Sequence, residues 1–183
     1  EWGHDFRPEY LQIGELLKSL PQAHVLACTA TATPIVRDEI LDRLGLPPDT
    51  PQLVRGFARP NLSLRVAEAN SRAERNRRVN ALLAETLVKP GAGKGTAIIY
   101  APTRKNTEEE AARLAGEGWR SEGYHAGMEG EQRDSVQRAF ADGQLEVVVA
   151  TNAFGMGIDR SDVRAIGHLA PPGSVEAYYQ EVG

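Results

Sequence analysis

Cysteine is nearly absent. Cys28 is the single one in 183 residues, so no internal disulfide can form. No Cys/His spacing suggests a zinc site. A reducing cytoplasm fits that count. No apolar run approaches the roughly 18 residues that cross a bilayer, and no secretory apolar segment stands near the start. No membrane partner is expected. Positive charge is also short. The formal net charge of −4 argues against binding nucleic acid through bulk charge, while leaving local positive sites open. The one arginine cluster, Arg72, Arg75, Arg77 and Arg78, reads as a solvated helix face.

A phosphate-binding loop is missing too, although one stretch imitates it. "KPGAGKGTAIIY" (89–100) is Gly-rich, carries a lysine and borders an apolar strand. A true loop of this kind needs Gly, four residues, then Gly-Lys-Ser/Thr. Counting back from Gly93-Lys94, the first glycine should stand at Val88, and the hydroxyl after Lys94 is replaced by Gly95. The order is wrong as well, because here the glycines follow a helix and precede a strand, whereas phosphates sit where a helix begins. The stretch reads as a turn.

What is present is a soluble, globular composition in which helix-like and strand-like segments alternate. Tyr10–Leu20 has near-helical leucine spacing. His24–Thr29 is a short apolar strand candidate. Thr33-Pro34 predicts an N-cap and first helical residue, with Ile35, Val36, Ile40, Leu41 and Leu44 on the apolar side and Gly45 as the stop. Residues 52–57 and 62–67 read as extended segments around Arg59-Pro60-Asn61. Helices are predicted over 76–88, 104–116 (capped by Thr103) and 130–140, with a last one capped by Ser174. Strands are predicted over 96–101, ending at Tyr124-His125, over 145–150 and over 165–169. Long helices between short apolar strands imply an α/β fold with a parallel sheet and crossover helices. Ligands bind at the C-terminal ends of such strands.

Three of those ends carry a small hydroxyl residue: Thr29, Thr103 and Thr151. Each can cap a helix or hold a phosphate. In "ATNAFGMGIDRSDVR" (150–164), Gly155 and Gly157 permit close backbone approach, and Asp159 can accept a hydrogen bond from a ribose. The same stretch reads equally as a Gly-rich loop with a surface carboxylate. "WGHDFRPEY" (2–10) sets Trp2, His4, Phe6 and Arg7 together, suited to stacking on unpaired bases or to plugging a loop.

Taken together, these stretches resemble the RecQ-type DNA helicases of superfamily 2, in family order and over nearly the whole chain. "WGHDFRPEY" resembles their aromatic-rich loop, "TATAT" (29–33) motif III and "FARPNL" (57–62) the Arg-Pro-Asn junction. "AIIYAPTR" (97–104) resembles motif IV, "YHAGM" (124–128) the segment after it, "VVVATNAFGMGIDRSDVR" (147–164) motif V, and "YYQEVG" (178–183) the start of motif VI.

The resemblance implies RecA-like parallel sheets. Residues 1–56 would be the C-terminal part of a first lobe, 57–62 the inter-lobe junction and 63–183 most of a second lobe. It implies an ATP-dependent 3′–5′ DNA helicase of recombination and repair, using ATP and Mg2+ and acting on single-stranded and duplex DNA. It places the protein in the cytoplasm, at the nucleoid in a bacterium. Carried over, Trp2, Phe6, Arg7, Thr29 and Thr31 couple DNA binding to hydrolysis. Trp2, Phe6, Arg7, Thr103, Arg104, His125 and Thr151 contact nucleic acid. Gly155, Gly157, Asp159 and Gln180 face the nucleotide. The family's phosphate-binding loop, Asp-Glu-x-His box and motif VI arginines are not in this sequence. The chain is therefore expected to be a fragment, inactive as an ATPase by itself. Two departures stand out. Arg160-Ser161 replaces the usual Lys-Pro, and Ala170 stands where an acidic residue is common. The alternatives are a non-enzymatic single-strand-binding α/β module and an RNA helicase.

Overall fold

The computed structural model describes residues 12–29, 32–54, 59–151, 154 and 160–182. The chain divides into two compact units, Glu1–Arg65 and Val66–Gly183.

In the first unit, helix α1 spans Ile13–Lys18 and α2 spans Pro34–Leu44. Helix α2 starts as its sequence dictates. The Val36 N–H donates to Thr33 Oγ1 at 3.3 Å, and Pro34 occupies the first turn, where a missing N–H costs nothing. Val36, Ile40, Leu41 and Leu44 are half-buried, while Ile35 is 80% exposed. The strand expected over 24–29 is not formed. The segment has no ladder partner among the described residues, and Leu26 is 87% exposed. Apolar β-branched content favours a strand only when a neighbouring strand supplies hydrogen bonds and a packing surface. Residues 52–54 and 62–67 likewise form no strand among the described residues.

The second unit is an α/β layer structure. Helix α3 (Arg72–Leu87) leads into β1 (Thr96–Tyr100), followed by α4 (Arg104–Gly116), β2 (Ser121–Tyr124), α5 (Gly130–Ala141), β3 (Val147–Ala150), β4 (Val163–His168) and α6 (Val175–Val182). The four strands pair in the order β2-β3-β1-β4, all parallel. Helix α3 starts four residues before its predicted boundary because Ser71 and Glu74 form a capping pair. Ser71 Oγ accepts from the Glu74 N–H at 3.1 Å, and Glu74 Oε2 accepts from the Asn70 N–H at 3.1 Å. Arg72 and Arg78 in its arginine cluster face Glu109 and Glu74, both at 3.0 Å, as a solvated face does.

Alternation along β1 divides the core. Ala97 and Ile99 face Val79, Leu83 and Leu87 of α3 and Ala111 and Leu114 of α4. Ile98 and Tyr100 face Val136 and Phe140 of α5. Both faces of the central strands are covered, which is why β1 and β3 read as apolar runs. Each fully buried Leu, Ile or Phe contributes roughly 1.5–3 kcal/mol relative to exposure.

The "PGAGKG" stretch is a turn at the N-terminal end of β1. Its Gly91 N–H donates to the buried Glu146 Oε1 at 2.8 Å, so this amide already has an anion. Gly95 has φ +128°, and a Cβ there would stand 2.5 Å from the Asp162 carbonyl oxygen. Only glycine fits.

Candidate functional site

The C-terminal ends of β1, β2 and β3 form one edge. Ala101 N–H donates to Ala150 O at 2.7 Å, and Thr151 N–H donates to Tyr124 O at 3.1 Å. The expected residues Thr103, Arg104, His125 and Thr151 all follow these strands directly.

Thr103 is the N-cap of α4. Its Oγ1 accepts from the Asn106 N–H at 3.1 Å and donates to Asn106 Oδ1 at 2.7 Å. The helix-cap role is thus met, and the residue stays exposed. Arg104 lies across Gly127. A Cβ at that glycine would stand 2.8 Å from Arg104 Nη1, so the guanidinium occupies the space that glycine leaves. Arg104 is exposed and makes no ion pair among the described residues.

His125 is 6% exposed. Its Nδ1 accepts from the Gly127 N–H at 3.2 Å, which assigns the ring proton of the neutral imidazole to Nε2. Nε2 then donates to Glu108 Oε1 at 3.0 Å. Gly127 is therefore the shared point of contact of Arg104 and His125. Chemically, the edge presents an unpaired guanidinium, a hydroxyl and helix-start amides, a set that receives an anionic oxygen.

A second group of side chains lies where β1, β4 and α6 meet. Tyr100 donates from its hydroxyl to the Phe154 carbonyl at 2.9 Å. Its ring stacks on His168, with centroids 5.1 Å apart and planes 20° apart. His168 Nε2 lies 2.7 Å from Glu181 Oε2. Burial, and then the Glu181 charge, push the Tyr100 phenol up to about 12, so it stays a donor. Gln180, expected at the nucleotide, is the exposed neighbour of Glu181 on α6.

Phe154 is 2% exposed, edge-on to both Tyr124 and Phe140. At the far end of the Gly-rich stretch, Arg160 forks onto Asp162 at 2.7 and 2.5 Å, reaches the carbonyls of Phe140 and Ala141, and stands 5.1 Å from the Phe140 ring centre. The guanidinium holds the Asp162 carboxyl below its ordinary value, chiefly through these hydrogen bonds.

Thr29 is exposed and lies in the first unit, in segment 24–29, which forms no strand. Trp2, Phe6, Arg7, Thr31, Gly155, Gly157 and Asp159 lie outside the described residues. The sequence reading missed Glu108, His168, Glu181 and the anchoring by Arg160. A histidine closing an apolar strand was the one available signal for His168. Among the described residues no group of His, Cys, Asp or Glu could hold a metal ion, and no helix is long and apolar enough to cross a membrane.

A parallel sheet covered on both faces, with its polar residues gathered at the strand ends, defines a RecA-like lobe. The solved structure of S. cerevisiae Dbp5 bound to RNA and ADP BeF3 shares the fold, with TM-score 0.67 and 18% identity over 97% of this chain and 46% of that one. Residues 77–183 match the helicase conserved C-terminal domain, and the chain belongs to that family. It is 43% identical over its whole length to an ATP-dependent DNA helicase RecQ of Pasteurella multocida, covering 27% of that protein. It is 41% identical to a probable ATP-dependent DNA helicase RecS of Bacillus subtilis, covering 36%. The chain thus spans about a quarter to a third of the length of these relatives.

Proposed function

We propose that this chain is the part of an ATP-dependent 3′–5′ DNA helicase that carries the end of one RecA-like lobe (1–56), the junction (57–62) and most of the second lobe (63–183). The observation that carries this reading is the meeting of Arg104 and His125 on Gly127, beside Thr103 and Thr151, at the strand ends of a RecQ-type sequence. In this reading those four residues track the phosphates of one DNA strand. Gly155, Gly157, Asp159 and Gln180 face ATP, whose phosphates carry Mg2+. Of these, only Gln180 is described, and its exposure leaves it free to reach a nucleotide. Trp2, Phe6, Arg7, Thr29 and Thr31 couple the two sites. The protein acts on single-stranded and duplex DNA in recombination and repair, in the cytoplasm or at the nucleoid. The 183-residue chain, with no Gly-x4-Gly-Lys-Ser/Thr of its own, hydrolyses no ATP alone.

The test is the single-strand-stimulated ATPase of the full-length protein, with Arg104→Ala beside it. Loss of one phosphate contact should weaken binding uniformly across sequences and reduce the salt slope of log K by about 1. Trp2→Ala should leave an ATPase that DNA no longer stimulates. A full-length protein that binds DNA without hydrolysing ATP would move the assignment to the non-enzymatic module. Equal affinity for RNA and DNA strands would favour the RNA enzyme.

A further inference from the structure

The contacts around Tyr100 form a continuous line between two parts of the chain far apart in sequence. At one end is the Phe154 carbonyl, held by the Tyr100 hydroxyl at 2.9 Å. The Phe154 ring is itself fixed between Tyr124 and Phe140. At the other end is α6. Its Glu181 accepts from His168 Nε2 at 2.7 Å, and its Tyr178 ring lies 5.5 Å from the His168 ring. Tyr100 and His168 join the two halves face to face. The main chain reinforces the junction, since the Leu169 N–H donates to the Tyr100 carbonyl at 2.9 Å. Tyr100 is 6% exposed, and the His168 and Glu181 side chains are 14% and 10% exposed. Bonds so enclosed from water are costly to break one at a time.

Structural economy alone does not require this arrangement. Tyr100 shares the core of that face with Ile98, Val136, Phe140 and Val148, where a phenylalanine ring would pack equally well. A phenol, an imidazole and a carboxylate add polar groups that must all find partners, and each partner lies on a different segment.

We propose that Tyr100 is a positioning residue that couples Phe154 to helix α6, so that Phe154 and the helix bearing Gln180 keep a fixed relation when ATP binds. This rests on the reading of Gln180 as a nucleotide-facing residue. Tyr100 touches no reactant in this proposal. It acts through Phe154 on one side and through His168 and Glu181 on the other.

A double-mutant cycle in the full-length protein tests it. Tyr100→Phe removes the hydroxyl and keeps the ring stack. Glu181→Ala removes the acceptor for His168, and Glu181→Gln restores an acceptor oxygen. Each single variant, Tyr100→Phe and Glu181→Ala, should raise the KM for ATP at least threefold with kcat changed less. The double variant should be no worse than the worse single one, and Glu181→Gln should recover most of the loss. Amide hydrogen exchange gives a second readout that needs no activity. Tyr100→Phe should speed exchange in 175–182, and Glu181→Ala should speed it in 151–154. Effects on KM that multiply in full, or exchange that rises only beside the mutated residue, would overturn the coupling. A wild-type protein without DNA-stimulated ATPase would sink the functional reading instead, and the exchange experiment would still decide on the coupling.

Discussion

Replacing Arg160 by lysine keeps the charge, yet the structure predicts a loss. Nε and Nη2 of Arg160 hold both oxygens of Asp162, while Nη1 reaches the last carbonyls of α5 and the guanidinium plane covers Phe140. An ammonium is a point donor and satisfies one of these sets at a time. The Asp162 side chain is 38% exposed, so water replaces much of what is lost there, and that part costs about 0.5–1 kcal/mol. The contact with the helix-end carbonyls contributes about 0.3–1 kcal/mol, and the cation over the ring about 0.5–1 kcal/mol. Lysine retains a share of the last two. Arg160→Lys should therefore cost about 1 kcal/mol and Arg160→Ala about 2 kcal/mol.

Urea unfolding measures this. Trp119 is 8% exposed in the core of the same unit, and in a Trp2→Phe background it is the sole tryptophan emitter. With a slope of about 1–3 kcal/mol per molar urea, the lysine variant should shift the midpoint by about 0.3–1 M. A lysine variant as stable as wild type would refute the argument that the fork matters. One as unstable as the alanine variant would refute the claim that charge at the helix end persists.

Three further outcomes follow from described geometry. Because the Asp162 carboxyl titrates below its ordinary 3.8 when folded, its stabilisation is complete above that value and is lost as pH falls through the folded one; the stability gap between wild type and Asp162→Asn should be open near neutral pH and narrow in acid. Gly95→Ala combines a positive φ with a clash against a backbone oxygen and should cost about 2–4 kcal/mol in the same urea assay. Thr103→Ala should cost about 1 kcal/mol through the lost cap of α4, and Thr103→Ser should retain most of it.

What the sequence revealed depended on how local each cause is. Helix α2 was legible because Thr33, Pro34 and Gly45 act within one turn of themselves, and α4 and α6 because Thr103 and Ser174 do the same. The strands β1 and β3 were legible as apolar runs because both their faces are buried. Segment 24–29 has the same kind of composition, and no neighbouring strand among the described residues supplies its ladder. Thr103, Arg104, His125 and Thr151 lie along one edge because parallel strands deliver their C-terminal ends to one side. The contact of Arg104 with Gly127 was not legible, since it depends on how two separate loops close. The His168–Glu181 pair needs the turn through 169–174 to bring residues thirteen apart into contact. Arg160 registered only as a positive charge, because its value lies in the fork and the ring beneath it.

The turn that imitates a phosphate-binding loop has a practical use that follows from its position. Gly91, Gly93 and Lys94 are exposed, and the turn lies before β1, one whole strand away from Thr103 and its neighbours. Five residues at about 3.3 Å each put roughly 16 Å between the two ends of that strand. A fluorophore on a cysteine introduced at Lys94, once the exposed Cys28 is replaced, would report on this unit without standing at the strand ends. The stretch that looks most like a phosphate-binding loop thus offers a labelling position a strand's length away from Thr103 and its neighbours.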